Sequence, residues 1–476
     1  MFAAMVERRS PGLRWVMLTH PKAPKSPQSR PSILLMKSRR IHQRRMDNQV
    51  GHFSILCVAS SLVLVGCSSP QSVPLTSTAL SEVAPATAYS VPTSGLDGLV
   101  DAAMRHHPAI AAAEVKVERM KAMIPQAEAL PDPMIKATGG RLAETAAGRV
   151  DAMLGAEQRL PFPGKRRAAG AVAEAGVKSA QAELENIRLT IAAQVRTVYW
   201  NYYLASKSID VLEQSKVVLT DLQNSVDIRV RASKASQQDL LRVINSISDL
   251  ERRLITTQQL RESAVARLNS MLHRPVNASL PEPRWSASMM SLSKTDEMSH
   301  PEIEAAKSRV AMFEARMKKA QLDRNPDFTV GLQYGAVSES GMAMSASGRD
   351  QFGATVGLTI PLWREKLDAA EREAEAGMIE SRNTLAAVRN DLSYRVVDAR
   401  ARVDSARKIV KLFDESILPD AEQAYELSLK EYSADTAGFL DVIDAWRQTL
   451  NYQLQQEENR SALGSAVAAY RLAAGN

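Results

Sequence analysis

Aromatic side chains are scarce in this chain: 8 Phe, 10 Tyr and 5 Trp make up 5% of 476 residues. That is low for an α/β enzyme or a sugar-binding protein. Only two cysteines are present, Cys57 and Cys67, and neither has partners at metal-ligand or redox spacing. The seven His are scattered. No Gly-rich phosphate loop, no Ser/His/Asp order near a strand end and no pocket-like pair of carboxylates can be read. The expectation is a protein with no catalytic site, no cofactor and no metal centre. The one strongly apolar run, residues 53–65, falls well short of the ~20 residues that a helix needs to cross a bilayer.

A deficit of acidic charge is only apparent. The formal net charge is +7, yet residues 1–66 hold 11 Lys and Arg against 2 Asp and Glu. Residues 67–476 are therefore left at −2. The basic excess belongs to a targeting segment, and no basic stripe interleaved with aromatics tracks a phosphate backbone, so nucleic acid is not expected as a partner.

What is present at the N-terminus reads as an export signal. Lys37, Arg39, Arg40, Arg44 and Arg45 form a positive region, and Phe53 to Val65 an apolar one. Leu64-Val65-Gly66-Cys67 then has the form of a lipidation site. Small Gly66 admits the peptidase, and the Cys67 thiol takes the diacylglycerol. Residues 1–66 are thus expected to be a signal segment, with residues 1–35 and their five prolines as an extension and Met36 or Met46 as the start. The bland alternative, a short membrane anchor, is disfavoured by length. Residues 67–95, rich in Ser, Thr, Pro and Ala, are expected to be a lipidated tether between the lipid and the folded body.

The remainder is duplicated. His107-Pro108-Ala109-Ile110 recurs as His300-Pro301-Glu302-Ile303, 193 residues on. At the same offset Asp132-Pro133 matches Asn325-Pro326, and Leu160-Pro161-Phe162 matches Ile360-Pro361-Leu362 at an offset of 200. The spacing predicts repeats at 96–280 and 295–476 with a linker at 281–294. Each should run helix, two strands, very long helix, break, helix. Met134 to Gly140 should pair with Ala152 to Leu160, and Phe328 to Gly335 with Phe352 to Ile360. In the latter pair Phe328, Val330, Leu332 and Tyr334 alternate with Thr329, Gly331 and Gln333.

The long helices carry apolar residues three or four apart. Leu184, Ile187, Ile191, Val195, Val198, Tyr202, Ala205, Ile209 and Leu212 form one stripe. Val388, Leu392, Val396, Ala399, Val403, Ala406, Val410 and Phe413 form another, 201 residues on where they correspond. Such stripes need partner helices along their whole length. Four strands cannot close a barrel, because bacterial outer-membrane barrels have at least eight and lipid tolerates no open edge. If these strands enter a membrane, several chains must share one barrel.

This order of motifs resembles the TolC-like outer-membrane efflux family. The resemblance rests on the two His-Pro openings, Leu130-Pro131-Asp132-Pro133, Gln158-Arg159-Leu160-Pro161-Phe162-Pro163-Gly164-Lys165 and Phe439-Leu440-Asp441-Val442-Ile443-Asp444-Ala445. The second and third pieces look most like the branch serving metal-exporting resistance–nodulation–division pumps. The resemblance implies a mainly α fold with a small membrane β part: a homotrimer with a 12-stranded barrel in the outer membrane and a helical tunnel across the periplasm. It also implies a periplasmic adaptor and an inner-membrane pump as partners.

The resemblance further implies site residues. The turns at Ala232 and Ser233 and at Ser433 and Ala434 would form the tip that meets the adaptor. Asp441 and Asp444, one helix face apart by three residues, would line the narrow end of the tunnel and favour cations. Tyr432 would help hold the iris closed, and Asp239 would be the first-repeat counterpart at the gate. The family often has Gly early in the tip turn, where Ala232 and Ser433 stand, and a basic gate residue where Ala437 stands. The bland reading makes these ordinary solvated helix charges. Met342 and Met344 could suit Cu(I) but read more simply as loop methionines. His106, His107 and His300 precede or neighbour prolines and read as helix-start residues. The rival function is a lipid-anchored periplasmic coiled-coil adaptor or structural protein. Against it, the chain lacks the Gly- and Val-rich domains that adaptors place between hairpin arms.

Overall fold

The computed structural model describes residues 95–145, 147–292, 299–339 and 348–476. The expected signal segment, Cys67, nearly all of the expected tether, and Met342 and Met344 lie outside the described residues.

The first run of elements is α1 (Gly95–His106), α2 (Pro108–Lys121), α3 (Met123–Glu128), β1 (Met134–Thr145), β2 (Gly148–Leu160), α4 (Lys165–Arg231) and α5 (Gln237–Met271). The second is α6 (Pro301–Leu322), β3 (Asp327–Ser338), β4 (Gln351–Thr359), α7 (Arg364–Leu412), α8 (Leu418–Ser433) and α9 (Phe439–Ala474). From the His-Pro openings onward the order repeats, except that the first run splits its opening helix into α2 and α3 and adds α1 ahead of it. The histidines start helices in both copies. His107 accepts the Ala109 N–H and His300 the Glu302 N–H, each at 3.2 Å through Nδ1, with proline in the first turn behind it.

Helix α4 runs 67 residues without a proline, about 100 Å at 1.5 Å per residue. Its stripe from Ile191 to Leu212 is buried at Ile191, Val195, Tyr202, Ala205, Ile209 and Leu212. The α7 stripe is buried at Leu392, Val396, Ala399, Val403 and Val410. Two hydrophobic clusters follow from this. One gathers Trp200, Tyr202, Leu268, Val403 and Leu463. The other, nearer the helix ends, gathers Leu219, Val226, Leu250, Val442 and Trp446.

Between α7 and α8 lies a π-bulge, Phe413–Ile417. A π turn carries one extra residue, and the register between repeats records it. Ile209 and Leu212 match Val410 and Phe413 at an offset of 201. Beyond the bulge, Ser233 and Asp435, the left-handed residues of the two tip turns, match at 202. The regular three-or-four spacing hides a single inserted residue, so the sequence pattern alone does not reveal it.

The four strands form one antiparallel sheet in the order β1-β2-β3-β4. Pairing within each repeat is as expected, with Met134 opposite Glu157 and Phe328 opposite Leu358. The join between repeats is β2 against β3, Leu160 opposite Phe328. The first pair extends beyond Gly140, because a bulge between Gly139 and Ala143 absorbs Gly140 at φ +126° and the ladder resumes. Cross-strand partners share a face, so one face carries Ile135, Leu154, Phe328, Val330, Leu332, Phe352, Val356 and Leu358, all left uncovered to some degree. The other carries Lys136, Glu157, Arg159, Thr329, Gln333 and Thr355, with a Lys136–Glu157 ion pair of 2.7 Å. This is the alternation of a membrane barrel wall, and strands of 9 to 13 residues suit a bilayer core.

The segment after α5 is strapped down. Asn269 donates to the carbonyls of Val276 and Ala278 at 3.1 and 2.7 Å. The Tyr199 hydroxyl both accepts the Arg284 N–H and donates to its carbonyl. Arg471 and Arg407 donate to the carbonyls of Met289 and Met290. The sequence marks this stretch as a linker. Its backbone polar groups find fixed partners on α4, α5, α7 and α9.

Candidate functional site: the tip turns and the face beside them

Both hairpin ends use the same local chemistry. At the first, Ala232 caps α4, Ser233 takes φ 60°, and the N–H of Lys234 returns to the carbonyl of Arg229 at 2.8 Å. At the second, Ala434 caps α8, Asp435 takes φ 60°, and the N–H of Thr436 returns to the carbonyl of Glu431 at 2.9 Å. These are Schellman closures. The left-handed residue is thus Ser233 or Asp435, one or two places past Ala232 and Ser433. Ser433 is still helical, and its hydroxyl donates to the Leu429 carbonyl.

The helices restart in parallel fashion. Ser236 opens α5, with its hydroxyl accepting the Asp239 N–H while the Asp239 carboxylate accepts the Ser236 N–H, both at 3.2 Å. Asp441 does the same for α9, accepting the Gly438 N–H at 3.1 Å. Asp239 and Asp441 are therefore equivalent helix-start carboxylates. Asp441 commits one oxygen to this cap and remains exposed. Asp444 is exposed one turn on, 3.5 Å from Arg447 in a solvated i,i+3 pair. Behind them, Val442, Ile443 and Trp446 are buried, so the two aspartates share the uncovered face of α9.

Tyr432, Asp239 and the turn residues Ser233, Asp435 and Gly438 are brought together around one open cleft of about 700 Å³. Asp441 and Asp444 are not part of it. The cleft is organised by a residue that the sequence did not single out, Arg229. Its guanidinium lies 4.5 Å over the Tyr432 ring and ion-pairs with Asp435. Burial, with the nearby Asp239 charge, pushes the Tyr432 hydroxyl above its ordinary range, while Arg229 opposes the shift. Tyr432 also meets Phe439 edge-on at 5.9 Å between ring centres. The cation is supplied by the end of α4, not by the position of Ala437. A basic residue in a last helical turn is ordinary, which is why Arg229 carries no distinguishing signal in sequence.

One cation, one buried phenol and one carboxylate join the tip of the first hairpin to that of the second. A row of carboxylates stands on the adjoining face.

The model of the outer membrane efflux protein family matches residues 99–273 and 295–476. The pyoverdine export outer membrane protein OpmQ of Pseudomonas putida is 24% identical over 317 residues, 62% of this chain and 64% of that protein, just under two thirds of its length. The outer membrane protein VceC of Vibrio cholerae superposes with a TM-score of 0.68 at 19% identity, over 80% of this chain and 96% of that one. The open-state MtrE outer membrane channel of Neisseria gonorrhoeae gives 0.65 at 19% identity, over 82% and 93%. The fold class expected from the sequence, mainly α with a small membrane β part, is the fold of these proteins. The chain belongs to the outer membrane efflux protein family, the TolC-like group that its motifs resemble.

Proposed function

We propose that this chain is the outer-membrane exit duct of a tripartite efflux system. Three copies share a 12-stranded barrel, and their helices form the tunnel below it. The duct is passive. An inner-membrane pump supplies the energy, and a periplasmic adaptor meets the tip turns at Ala232, Ser233, Ser433 and Ala434. The cargo class is small molecules or metal ions. Cys67 carries the lipid that tethers the chain to the membrane, ahead of repeats at 96–280 and 295–476 and a linker at 281–294.

One observation carries this reading: among the described residues, a sheet of four strands with one apolar face, one polar face and two edge strands, β1 and β4. Such a sheet cannot stand alone in lipid. In the duct, Arg229, Tyr432, Asp435 and Asp239 hold the tips closed, and Asp441 and Asp444 from three copies form a ring of carboxylates that selects cations.

The test is the mass of the purified protein in mild detergent by light scattering. A trimer is expected. A well-behaved monomer would overturn the shared barrel.

A further inference from the structure

A groove of about 680 Å³ runs along α4 where α5 and α9 flank it. Val198, Leu204, Leu212, Leu260 and Leu454 give it an apolar surface, and Leu260 is 54% exposed. Its charged rim comes mainly from α5, as Arg252, Arg253 and Arg267. This size, with a mostly apolar lining and a few polar groups, is that of a small-molecule site.

The three guanidiniums are unevenly neutralised. Arg252 and Arg253 share one carboxylate, Asp249, at 2.7 and 2.9 Å. Arg267 is exposed and makes no ion pair among the described residues. Against the three cations stand Asp249 and, on the α9 wall, Glu458, which leaves the groove positive. The duplication shows that the fold does not require these cations. Helices α5 and α9 correspond at an offset of 202, as Asp239 and Asp441 do. Arg252, Arg253 and Arg267 then fall on Leu454, Gln455 and Ala469.

The groove opens on the side of Asp444. Asp444, Asn451 and Glu458 follow one another seven residues apart and so share a face of α9. Arg460 lies about 200° around the helix from Glu458 and covers the Trp285 ring at 5.4 Å, which puts the linker on the other side. On α4, likewise, Asn201 and Ser208 line the groove and point away from Tyr199, whose hydroxyl is bonded to the linker.

We infer that this groove is a cargo site on the pore side of the tunnel wall, for a molecule with an apolar body and an anionic group held at Arg267. The inference rests on the duct proposed above and names the class of molecule it carries. Glu458 and Asp444 are 14 residues apart, about 21 Å along the helix. The Debye length at physiological salt is about 8 Å, so the carboxylates near the tip do not repel an anion seated in the groove. Apolar contact holds the body, and a charge-assisted hydrogen bond from Arg267 orients it.

The experiment uses the full-length protein in lipid nanodiscs, with naphthalenesulfonate as the probe. Equilibrium dialysis, with empty nanodiscs subtracted, should show saturable binding. Arg267→Gln should weaken it about tenfold or more, the effect of losing one charge-assisted contact. Arg242→Gln, on the same helix and outside the groove, should leave it unchanged. Methanesulfonate has the charge without the ring, and naphthalenemethanol the ring without the charge; both should bind more weakly than the probe. In a planar bilayer the probe should reduce the current of the wild type and spare that of Arg267→Gln. Equal binding to wild type and Arg267→Gln, or equal binding of the neutral alcohol, overturns the anionic site. Binding with no reduction of current puts the groove outside the pore and overturns the cargo role. A protein that conducts but binds no probe overturns the groove and leaves the duct standing. One that binds the probe and never conducts overturns the duct, and the cargo role with it.

Discussion

The Tyr203 hydroxyl donates a 2.5 Å hydrogen bond to the Glu457 carboxylate in the buried seam where α4 of the first repeat meets α9 of the second. Arg460 holds the other oxygen of Glu457 at 2.7 Å and reaches Asp414, at the π-bulge, at 2.9 Å. Burial first, then the Glu457 hydrogen bond and charge, push the Tyr203 hydroxyl far above its ordinary range. It therefore stays a proton donor at any physiological pH. A buried carboxylate stripped of a partner is costly, and a buried ion pair broken on one side is costlier. Tyr203→Phe should cost about 1.5–3 kcal/mol, and Glu457→Ala, which strands the buried phenol but leaves Arg460 paired with Asp414, about 1–3 kcal/mol. Both are read as a lowered unfolding midpoint in detergent. Equal, negligible effects would mean that this seam does not hold the repeats together.

The helix start at His107 gives a pH dependence. Burial, with Arg267 and His273 close by, holds the His107 imidazole below its ordinary value. The unfolded chain then binds the proton more readily than the folded one. The stability due to this group is complete above the ordinary histidine value, about 6.5, and is lost as pH falls below it. A protonated Nδ1 also cannot accept the Ala109 N–H. The unfolding midpoint should therefore fall on acidification, and His107→Asn, which keeps a cap acceptor, should flatten that fall. An identical acid slope in wild type and variant would remove His107 from the explanation.

The proposed lipidation at Cys67 depends on its thiol, since only a thiol accepts the diacylglycerol. Labelled palmitate should enter the wild-type chain and not Cys67→Ser. Equal incorporation would show that the lipid is elsewhere.

Much of this fold is legible because helices and strands have periods. The three-or-four spacing from Leu184 to Leu212 marks α4, and the alternation from Phe328 to Tyr334 marks β3. Features that depend on which element meets which are not legible in this way. The β2–β3 ladder joins residues as far apart as Leu160 and Phe328, and alternation names a face, not a neighbour. The strapping of the linker depends on Tyr199, Arg407 and Arg471, each ordinary in its own helix. At the tip, Tyr432 and Asp239 stand out by resemblance, but Arg229 gains its meaning only once α4 and α8 end side by side.

The most direct test is current through the purified protein in a planar bilayer at modest salt, where exposed charge is not fully screened. Discrete, cation-selective steps are expected. Arg229→Ala should enlarge them, because it removes both the cover of the Tyr432 ring and the partner of Asp435. Asp441→Asn with Asp444→Asn should reduce cation selectivity and relieve block by trivalent cations added from the periplasmic side. A trimer that inserts yet passes no stepwise current would contradict the duct. Steps unchanged in selectivity and block in the double variant would take Asp441 and Asp444 out of the pore.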